Sequence, residues 1–385
     1  MKIVVSGGGT GGHIAPILAV LEQLQKLEPN LKVLFVGSGN ELEKKILQSS
    51  GFEYVAIPSG KFRRYGRGLV REVLDIKTTS QNIKDATRVV RGIRQARKIL
   101  NGFKPDVVFT KGGYVGLPVG LAAAKLGYPL VIHESDSIFG KANQVLATKA
   151  TKIAVSFPVE TYQLPDRVDR SKLIYTGNPI RGSILSASPA AAEKFFPFDK
   201  NKPVVLITGS SQGAQAINQV IFSSLENLCK HYNIIHLTGE RDIERARFMH
   251  HKLPAGLKTS YLPFGFLQSE MGLAYQRAEV VVARGSMSTL TEVAAVGRPA
   301  IIIPLPSSAD QPSNARILAR FGAIRLLEQA DLTELRLRSE IDQILEHPEA
   351  TNYLIKTFHK FYKAYASEHV ATILHKCATK TGVEN

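Results

Sequence analysis

Cysteine is nearly absent from this chain. Its 385 residues include two, Cys229 and Cys377, with no CxxC pair and no Cys/His spacing suited to zinc, so a disulfide framework is excluded and a reducing compartment is expected. Long apolar runs are missing too. None reaches the roughly 18 residues of a membrane-spanning helix, and the chain enters an apolar run at Ile3 rather than a charged and then apolar leader, so a soluble, unexported protein is expected. Acidic residues are scarce: Asp and Glu number 33 against 49 Lys and Arg, a formal net charge of +16. The deficit lies mainly in residues 1–180, where 26 basic residues face 14 acidic ones (+12), against 23 and 19 (+4) in residues 181–385. No helix-turn-helix, zinc or aromatic RNP pattern accompanies that charge, so no nucleic-acid partner is expected.

Glycine, by contrast, is concentrated at one place. Ser6-Gly7-Gly8-Gly9-Thr10-Gly11-Gly12-His13 holds five glycines in the six positions from 7 to 12. It follows the apolar run Ile3-Val4-Val5 directly and precedes Ile14-Ala15-Pro16-Ile17-Leu18-Ala19-Val20-Leu21, which predicts a buried strand, a glycine turn and a helix. Glycines let the backbone approach a ligand with no Cβ between, and the helix start offers unpaired N–H groups to an anion, so the stretch reads as a phosphate seat. A tight strand-to-helix turn is the blander reading, but such a turn needs one or two glycines rather than five. Gly7-x-Gly9-x-x-Gly12 also fits a dinucleotide fingerprint, which requires an acidic residue closing the second strand. Here Val33-Leu34-Phe35-Val36 runs into Gly37-Ser38-Gly39 and the first acid is Glu41, so a nicotinamide cofactor is not expected. His13 stands where a P-loop needs Lys-Ser/Thr.

A chain of this length, 44% apolar, exceeds the size of one core, so two domains are expected. Strand and helix patterns alternate throughout. Asp106–Thr110 ends at Lys111-Gly112-Gly113-Tyr114 and a helix from Leu117 to Leu126; Leu130-Val131-Ile132 ends at His133-Glu134-Ser135-Asp136; Ile153–Val155 and Leu173–Tyr175 follow, the latter ending at Gly177-Asn178-Pro179-Ile180-Arg181. After an Ala/Pro-rich stretch from Ser186 to Pro203 a second series begins: Val204–Thr208 meets Gly209-Ser210-Ser211-Gln212-Gly213-Ala214, Ile234–Leu237 meets Thr238-Gly239-Glu240, Val280–Ala283 meets Arg284-Gly285-Ser286, and Ala300–Ile303 meets Pro304-Leu305-Pro306. A Gly-x-Pro break before a strand recurs as Gly127-Tyr128-Pro129 and Gly297-Arg298-Pro299. The pattern argues two doubly wound α/β domains facing across a cleft, with ligands at the C-terminal strand ends.

Residues 61–104 carry 13 basic and 3 acidic residues, opening with Lys61-Phe62-Arg63-Arg64-Tyr65-Gly66-Arg67-Gly68-Leu69-Val70-Arg71. Basic residues mixed with apolar ones suit an anionic membrane surface; a solvated helix face is the competing reading.

Taken together, Gly8-Gly9-Thr10-Gly11-Gly12-His13, Lys111-Gly112-Gly113-Tyr114, His133-Glu134-Ser135-Asp136, Gly177-Asn178-Pro179-Ile180-Arg181, Ser211-Gln212-Gly213-Ala214 and Asp310-Gln311 with Asn314-Ala315 resemble the MurG family, the bacterial N-acetylglucosaminyltransferases of peptidoglycan synthesis. The resemblance runs from residue 1 to about 330. It implies a GT-B fold, with a Rossmann-like acceptor and membrane domain over residues 1–180, a Rossmann-like UDP-sugar domain over 181–362, and a last helix within 363–385 packing back on the first domain. It implies transfer of N-acetylglucosamine from UDP-GlcNAc, with inversion, to the C4 hydroxyl of a lipid-linked muramyl-pentapeptide, at the cytoplasmic face of the cell membrane. The alternatives are a UDP-GlcNAc 2-epimerase and a non-catalytic membrane-surface binding protein.

The family's residues carry over one at a time. Glu292 is similar to the glutamate that accepts from the ribose hydroxyls, Asp310 and Gln311 to the pair on the GlcNAc hydroxyls, and Ser211, Asn218 and Asn143 to residues of the donor pocket. Arg181 resembles the arginine that approaches the nucleotide. Arg284 and Thr289 belong to the same donor motif, and Thr10, Gly11, Gly12 and His13 to the donor side of the glycine stretch. Gly9, Gly112, Gly113 and Tyr114 are carried over as acceptor contacts. His13, at a helix start whose dipole disfavours protonation, is one candidate general base; the carboxylates Glu134 and Asp136 are the others. Ser210 and Gly285-Ser286-Met287 depart from the family pattern, which has a second glycine at the first place and a small-then-Gly order at the second. The leaving diphosphate can be held by a helix N-terminus and an arginine, so neither a metal nor another cofactor is expected.

Overall fold

A computed structural model describes residues 1–7, 11–48, 50–60, 76–209 and 213–380. Gly9, Thr10, Ser210, Ser211 and the arginines 63, 64, 67 and 71 lie outside the described residues, as does the side chain of His13. The chain forms two units, Met1–Pro179 with Tyr365–Asn385, and Ile180–Ala364.

The first unit is built on β1 (Lys2–Ser6), β2 (Lys32–Gly37), β3 (Glu53–Ala56), β4 (Val107–Thr110), β5 (Leu130–Glu134), β6 (Lys152–Val155) and β7 (Leu173–Tyr175). Their order is β3-β2-β1-β4-β5-β6-β7, every pair parallel. The central strands are continuous apolar runs because helices cover both faces of a parallel sheet. β1 sits where the order reverses, with Ser6 opposite Val36 on one side and Thr110 on the other. The second unit repeats this arrangement with β8 (Val204–Thr208), β9 (Asn233–Leu237), β10 (Tyr261–Phe264), β11 (Val280–Ala283), β12 (Ala300–Ile302) and β13 (Arg325–Leu326), ordered β10-β9-β8-β11-β12-β13 and again parallel. Here β8 is at the reversal, Thr208 lying between Leu237 and Ala283.

The repeated Gly-x-Pro break has a structural basis. Gly127 and Gly297 end the helices Gly113–Leu126 and Met287–Val296 in left-handed conformation, φ 77° and 70°. In both, the next N–H returns to a carbonyl five residues back, Tyr128 to Ala123 and Arg298 to Val293, and the proline then prevents continuation. The last helix, Ala366–Lys380, belongs to the first unit, where Val370, Ala371, Leu374 and Ala378 join Ile14, Ile17 and Leu21 in one core. The long helix Ile76–Phe103 turns Val89, Gly92, Ala96 and Leu100 inward against the helix Gly113–Leu126 and leaves Arg88, Arg91, Arg94 and Lys98 exposed along the opposite side.

Three strands had no signal in the sequence pattern: β3, β10 and β13. All three are sheet edges. Edge strands are half-buried and mixed in polarity, as in Glu53-Tyr54-Val55-Ala56, so they lack the apolar run that marks the central ones, and Pro263 is tolerated in β10 because one side of an edge strand needs no donor.

Candidate functional site

In the first unit the ends of β4 and β5 and the loop after β7 are tied by one buried amine. Lys111, 4% exposed, directs its ammonium to three neutral acceptors: His133 Nδ1 and Asn178 Oδ1, each at 3.1 Å, and Ser135 Oγ. Ser135 Oγ in turn donates to Asn178 Oδ1 at 3.0 Å. The other nitrogen of His133 lies 3.0 Å from the Gly177 carbonyl, so Nε2 carries the proton and Nδ1 accepts from the lysine. Burial, then the Lys111 charge, holds His133 well below the usual imidazole range, and the ring is neutral. Burial lowers the Lys111 ammonium to about 8, against the opposing pull of Asp136 and Glu134. The lysine also lies behind the start of the glycine stretch: its N–H donates to Ser6 O, and a Cβ on Gly7 would come within 3.3 Å of Lys111 Cβ.

Glu134 and Asp136 are separated by the turn after β5. Glu134 is buried and both its oxygens accept, Oε1 from the Asp136 N–H at 3.1 Å and Oε2 from Gly140 N–H and Asn143 Nδ2 at 2.9 Å each. Burial raises its pKa, and those three hydrogen bonds and Lys111 lower it. Such a carboxylate braces the 135–140 loop, whereas Asp136 is half-buried at the loop surface. Asn143 donates also to the His133 carbonyl, so its donors serve this brace; its Oδ1 would be 2.5 Å from a Cβ on Gly112. Gly112 and Gly113 both have positive φ, 74° and 71°, and open the helix that begins at Gly113 beside Tyr114.

Glu43 carried no signal in the sequence. It is fully buried and reaches back to the end of β2, accepting from Ser38 N–H (2.7 Å) and Ser38 Oγ (2.9 Å), Asn40 Nδ2 (3.2 Å) and the Tyr54 hydroxyl (3.0 Å). An acid does therefore stand at the end of the second strand, but it is spent on its own loop instead of being offered to a ribose.

In the second unit Arg181, Tyr275 and Glu292 meet. The Tyr275 hydroxyl donates to Glu292 Oε2 at 3.0 Å. Burial raises the Glu292 pKa; the Arg181 guanidinium and the Tyr275 hydroxyl act in the opposite direction. Arg284, at the end of β11, is buried and donates to the Ile303 carbonyl at 2.9 Å. After it, Ser286 is in ordinary extended backbone, φ −75° and ψ 136°, and caps the helix that carries Thr289 and Glu292; its Oγ donates to Thr289 Oγ1 at 3.0 Å. Gly285 is not among the positive-φ glycines, so the sequence Gly285-Ser286-Met287 asks no serine to adopt a left-handed conformation. The helix Gln311–Arg320 begins next to this turn: a Cβ on Gly285 would meet the Gln311 carbonyl at 2.8 Å. The Gln311 side chain accepts from Leu305 N–H at 3.0 Å, and Asp310 accepts from Ser308 Oγ at 2.5 Å.

Asn218 is placed differently from these. Its amide is buried and committed on every side, donating to Thr238 O (2.9 Å) and Asp242 Oδ2 (2.7 Å) and accepting from His236 Nε2 (3.1 Å), whose other nitrogen accepts from the Tyr261 hydroxyl (2.9 Å). Burial takes His236 down to about 3, so it stays neutral. The network fixes Thr238, against which Gly213, φ 72°, is packed so tightly that a Cβ would lie 2.1 Å from the Thr238 carbonyl. Asn218 thus holds Thr238, and with it the backbone against which Gly213 packs.

Comparison with known proteins covers nearly the whole chain. Residues 3–155 match the glycosyltransferase family 28 N-terminal domain and residues 204–369 the glycosyltransferase family 28 C-terminal domain. A Bacillus pumilus protein named UDP-N-acetylglucosamine--N-acetylmuramyl-(pentapeptide) pyrophosphoryl-undecaprenol N-acetylglucosamine transferase is 34% identical over 98% of this chain and 100% of its own length. Among solved structures, MurG of Acinetobacter baumannii aligns with TM-score 0.69 and 25% identity over 97% of this chain and 99% of that one. UDP-GlcNAc 2-epimerase of Neisseria meningitidis, bound to UDP-GlcNAc, aligns with TM-score 0.68 at 16% identity over 98% and 100%, a likeness of fold alone.

The buried lysine has a measurable signature. Between a folded pKa of about 8 and the ordinary 10.5, the unfolded chain still binds a proton that the folded chain has released, so stability rises with pH across that window, by up to about 3 kcal/mol. Urea denaturation on either side of the window is expected to show this gain in the parent and a smaller one in Lys111→Met; parallel profiles would show that Lys111 is not the group responsible.

Proposed function

Because the chain belongs to glycosyltransferase family 28 in both of its domains, we propose that it transfers N-acetylglucosamine from UDP-GlcNAc to the C4 hydroxyl of undecaprenyl-diphospho-N-acetylmuramyl-pentapeptide, inverting the anomeric carbon and releasing UDP. The observation that carries this reading is 34% identity along 98% of the chain to a relative named for that transfer. The transferase is a GT-B enzyme.

The second unit is assigned the donor. The Glu292 carboxylate suits a vicinal diol because it offers two acceptor oxygens, and Arg181 beside it brings positive charge toward the diphosphate. The helix starts at Met287 and Gln311, with Thr289, Asp310 and Gln311, are assigned to the phosphates and the sugar hydroxyls. The first unit is assigned the acceptor, through Gly9 and the turn Gly112-Gly113-Tyr114. His13 is the proposed general base, with Asp136 as the alternative; the engagement of both oxygens of Glu134 favours a bracing role for that residue. UDP leaves with its charge held by backbone N–H groups and arginine, which requires no metal.

Attachment to the cytoplasmic face of the membrane is part of the same reading, since the acceptor is a lipid. Among the described residues no helix is long and apolar enough to cross a membrane, and the exposed row Arg88, Arg91, Arg94 and Lys98 suits an anionic surface.

Incubated with UDP-GlcNAc, the protein is expected to release UDP when lipid-linked acceptor is present; release without acceptor, or formation of ManNAc, would overturn transfer in favour of epimerisation. In that assay Glu292→Ala should lose charge-assisted hydrogen bonds of about 1.5–3 kcal/mol, seen mainly as a raised donor KM, and an unchanged KM would remove Glu292 from the site. His13→Ala should lower kcat by roughly 10²–10⁴ and abolish the acidic limb of its pH profile; if the limb survives, the base is elsewhere and Asp136→Asn is the next variant to measure. Neutral replacements at Arg88, Arg91 and Arg94 should weaken binding to vesicles containing anionic lipid by about 1 kcal/mol per charge, and parent binding should fall as salt rises. Equal binding of both proteins would leave the row as a solvated helix face.

A further inference from the structure

Three short helices of the second unit converge on Glu292. The helix Met287–Val296 carries it, the helix Met271–Arg277 brings Tyr275, and Arg181 caps the helix Gly182–Leu185. Their close approach depends on Gly272: a Cβ there would stand 2.7 Å from the Ser183 carbonyl and 3.0 Å from Ala187 Cβ, forcing Tyr275 away from the segment that holds Arg181. Tyr275 is 1% exposed, and its hydroxyl reaches Glu292 Oε2 from the interior of the unit at 3.0 Å.

We infer that Tyr275 is a positioning residue for the donor: its hydroxyl donates to one oxygen of the Glu292 carboxyl and fixes its orientation, so that the ribose diol meets a preformed acceptor. The inference rests on the assignment of Glu292 to the ribose. Its chemistry is consistent on both sides of the bond. Burial, then the neighbouring carboxylate, pushes the phenol well above its ordinary range, so it remains a donor at every relevant pH. Burial alone would favour a neutral Glu292, and Arg181 and the phenol are the groups that oppose it. Of the other titratable groups on the packed helices, Arg277 faces Glu279 at 3.9 Å, and His359, on the helix Pro348–His359, bonds the Ala294 carbonyl at 2.8 Å.

The sign of the effect follows. The ionised carboxylate accepts from two hydroxyls, so donor affinity falls as pH drops through the folded pKa of Glu292. Without the phenol that pKa moves higher, and the fall begins at higher pH. Titration of the full-length protein with UDP-GlcNAc, from mildly acidic to mildly alkaline pH, compares the parent with Tyr275→Phe. The variant is expected to lose roughly tenfold in affinity on the acid side and to approach the parent on the alkaline side, the loss appearing in donor KM rather than kcat. Superimposable profiles, or a loss equal at every pH, would overturn the inference. Glu292→Gln should bind weakly with a flat profile; if it binds as the parent does, the assignment of Glu292 to the donor fails first and the inference with it. Fluorotyrosine introduced at position 275 keeps the ring and the hydroxyl but donates more strongly, so the limb should move to lower pH. An unmoved limb there would overturn the role of Tyr275 even if Tyr275→Phe does not fold.

Discussion

Parallel pairing that runs outward in both directions from a single strand is the constraint on which each unit depends. β1 is paired on one side with β2 and on the other with β4, and β8 likewise with β9 and β11. Crossover connections between parallel strands share one hand, so the helices leaving the two middle strands of each reversal pass to opposite faces of the sheet. The chain leaving β1 and β4, and that leaving β8 and β11, therefore feeds helices on opposite faces from neighbouring strand ends at the C-terminal edge. Backbone is what remains to line such an opening, and both units place glycines there: Gly7, Gly112 and Gly113 in the first, Gly209, Gly213 and Gly285 in the second.

The turns at these openings are held from beneath by buried polar side chains. Lys111, Glu134 and Glu43 in the first unit, and Asn218 with His236 in the second, each bind two or more loop or strand-end groups. Removing such a group from water is unfavourable unless its hydrogen bonds are replaced, and here they are replaced by the groups whose positions matter. The two units solve the same problem with different chemistry. The first uses a lysine and two glutamates; the second uses an amide, imidazole and phenol in series, Asn218 to His236 to Tyr261.

Much of this was legible in the sequence, because the signals were local. An apolar run followed by glycines marks a central strand and its turn, and nine of the thirteen strands were marked by an apolar run of their own with a turn or Gly-x-Pro signal beside it. Three of the four edge strands, β3, β10 and β13, were not, because half of each is exposed and its composition says little. The roles of polar residues were legible to the extent that they depended on neighbours in the chain. Glu134 and Asp136, two apart, would share a face if β5 continued; it stops at Glu134, and the turn sends one inward and leaves the other near the surface. Asn218 was carried over to the donor pocket by resemblance alone, and the partners that hold its amide, Thr238, His236 and Asp242, are 18 to 24 positions away and gave no local signal. Tyr275 escaped notice, and Lys111 was marked only as part of its motif, for the same reason, since a tyrosine in a short helix and a lysine after a strand declare no bonding role until the distant carboxylate or imidazole is placed beside them.

The return of the last helix to the first unit bears on how the chain is made. The second unit, residues 180–364, is continuous, but the first is closed by Val370, Ala371, Leu374 and Ala378 from the far end of the chain. During synthesis the first unit emerges from the ribosome with Ile14, Ile17 and Leu21 still lacking that cover, and it stays so while the whole of the second unit is translated. A chaperone that shields the exposed side of the helix Gly11–Leu27 in that interval would act on a surface that the finished protein does not present. A nascent chain halted short of residue 366 would carry a complete second unit and an open first one.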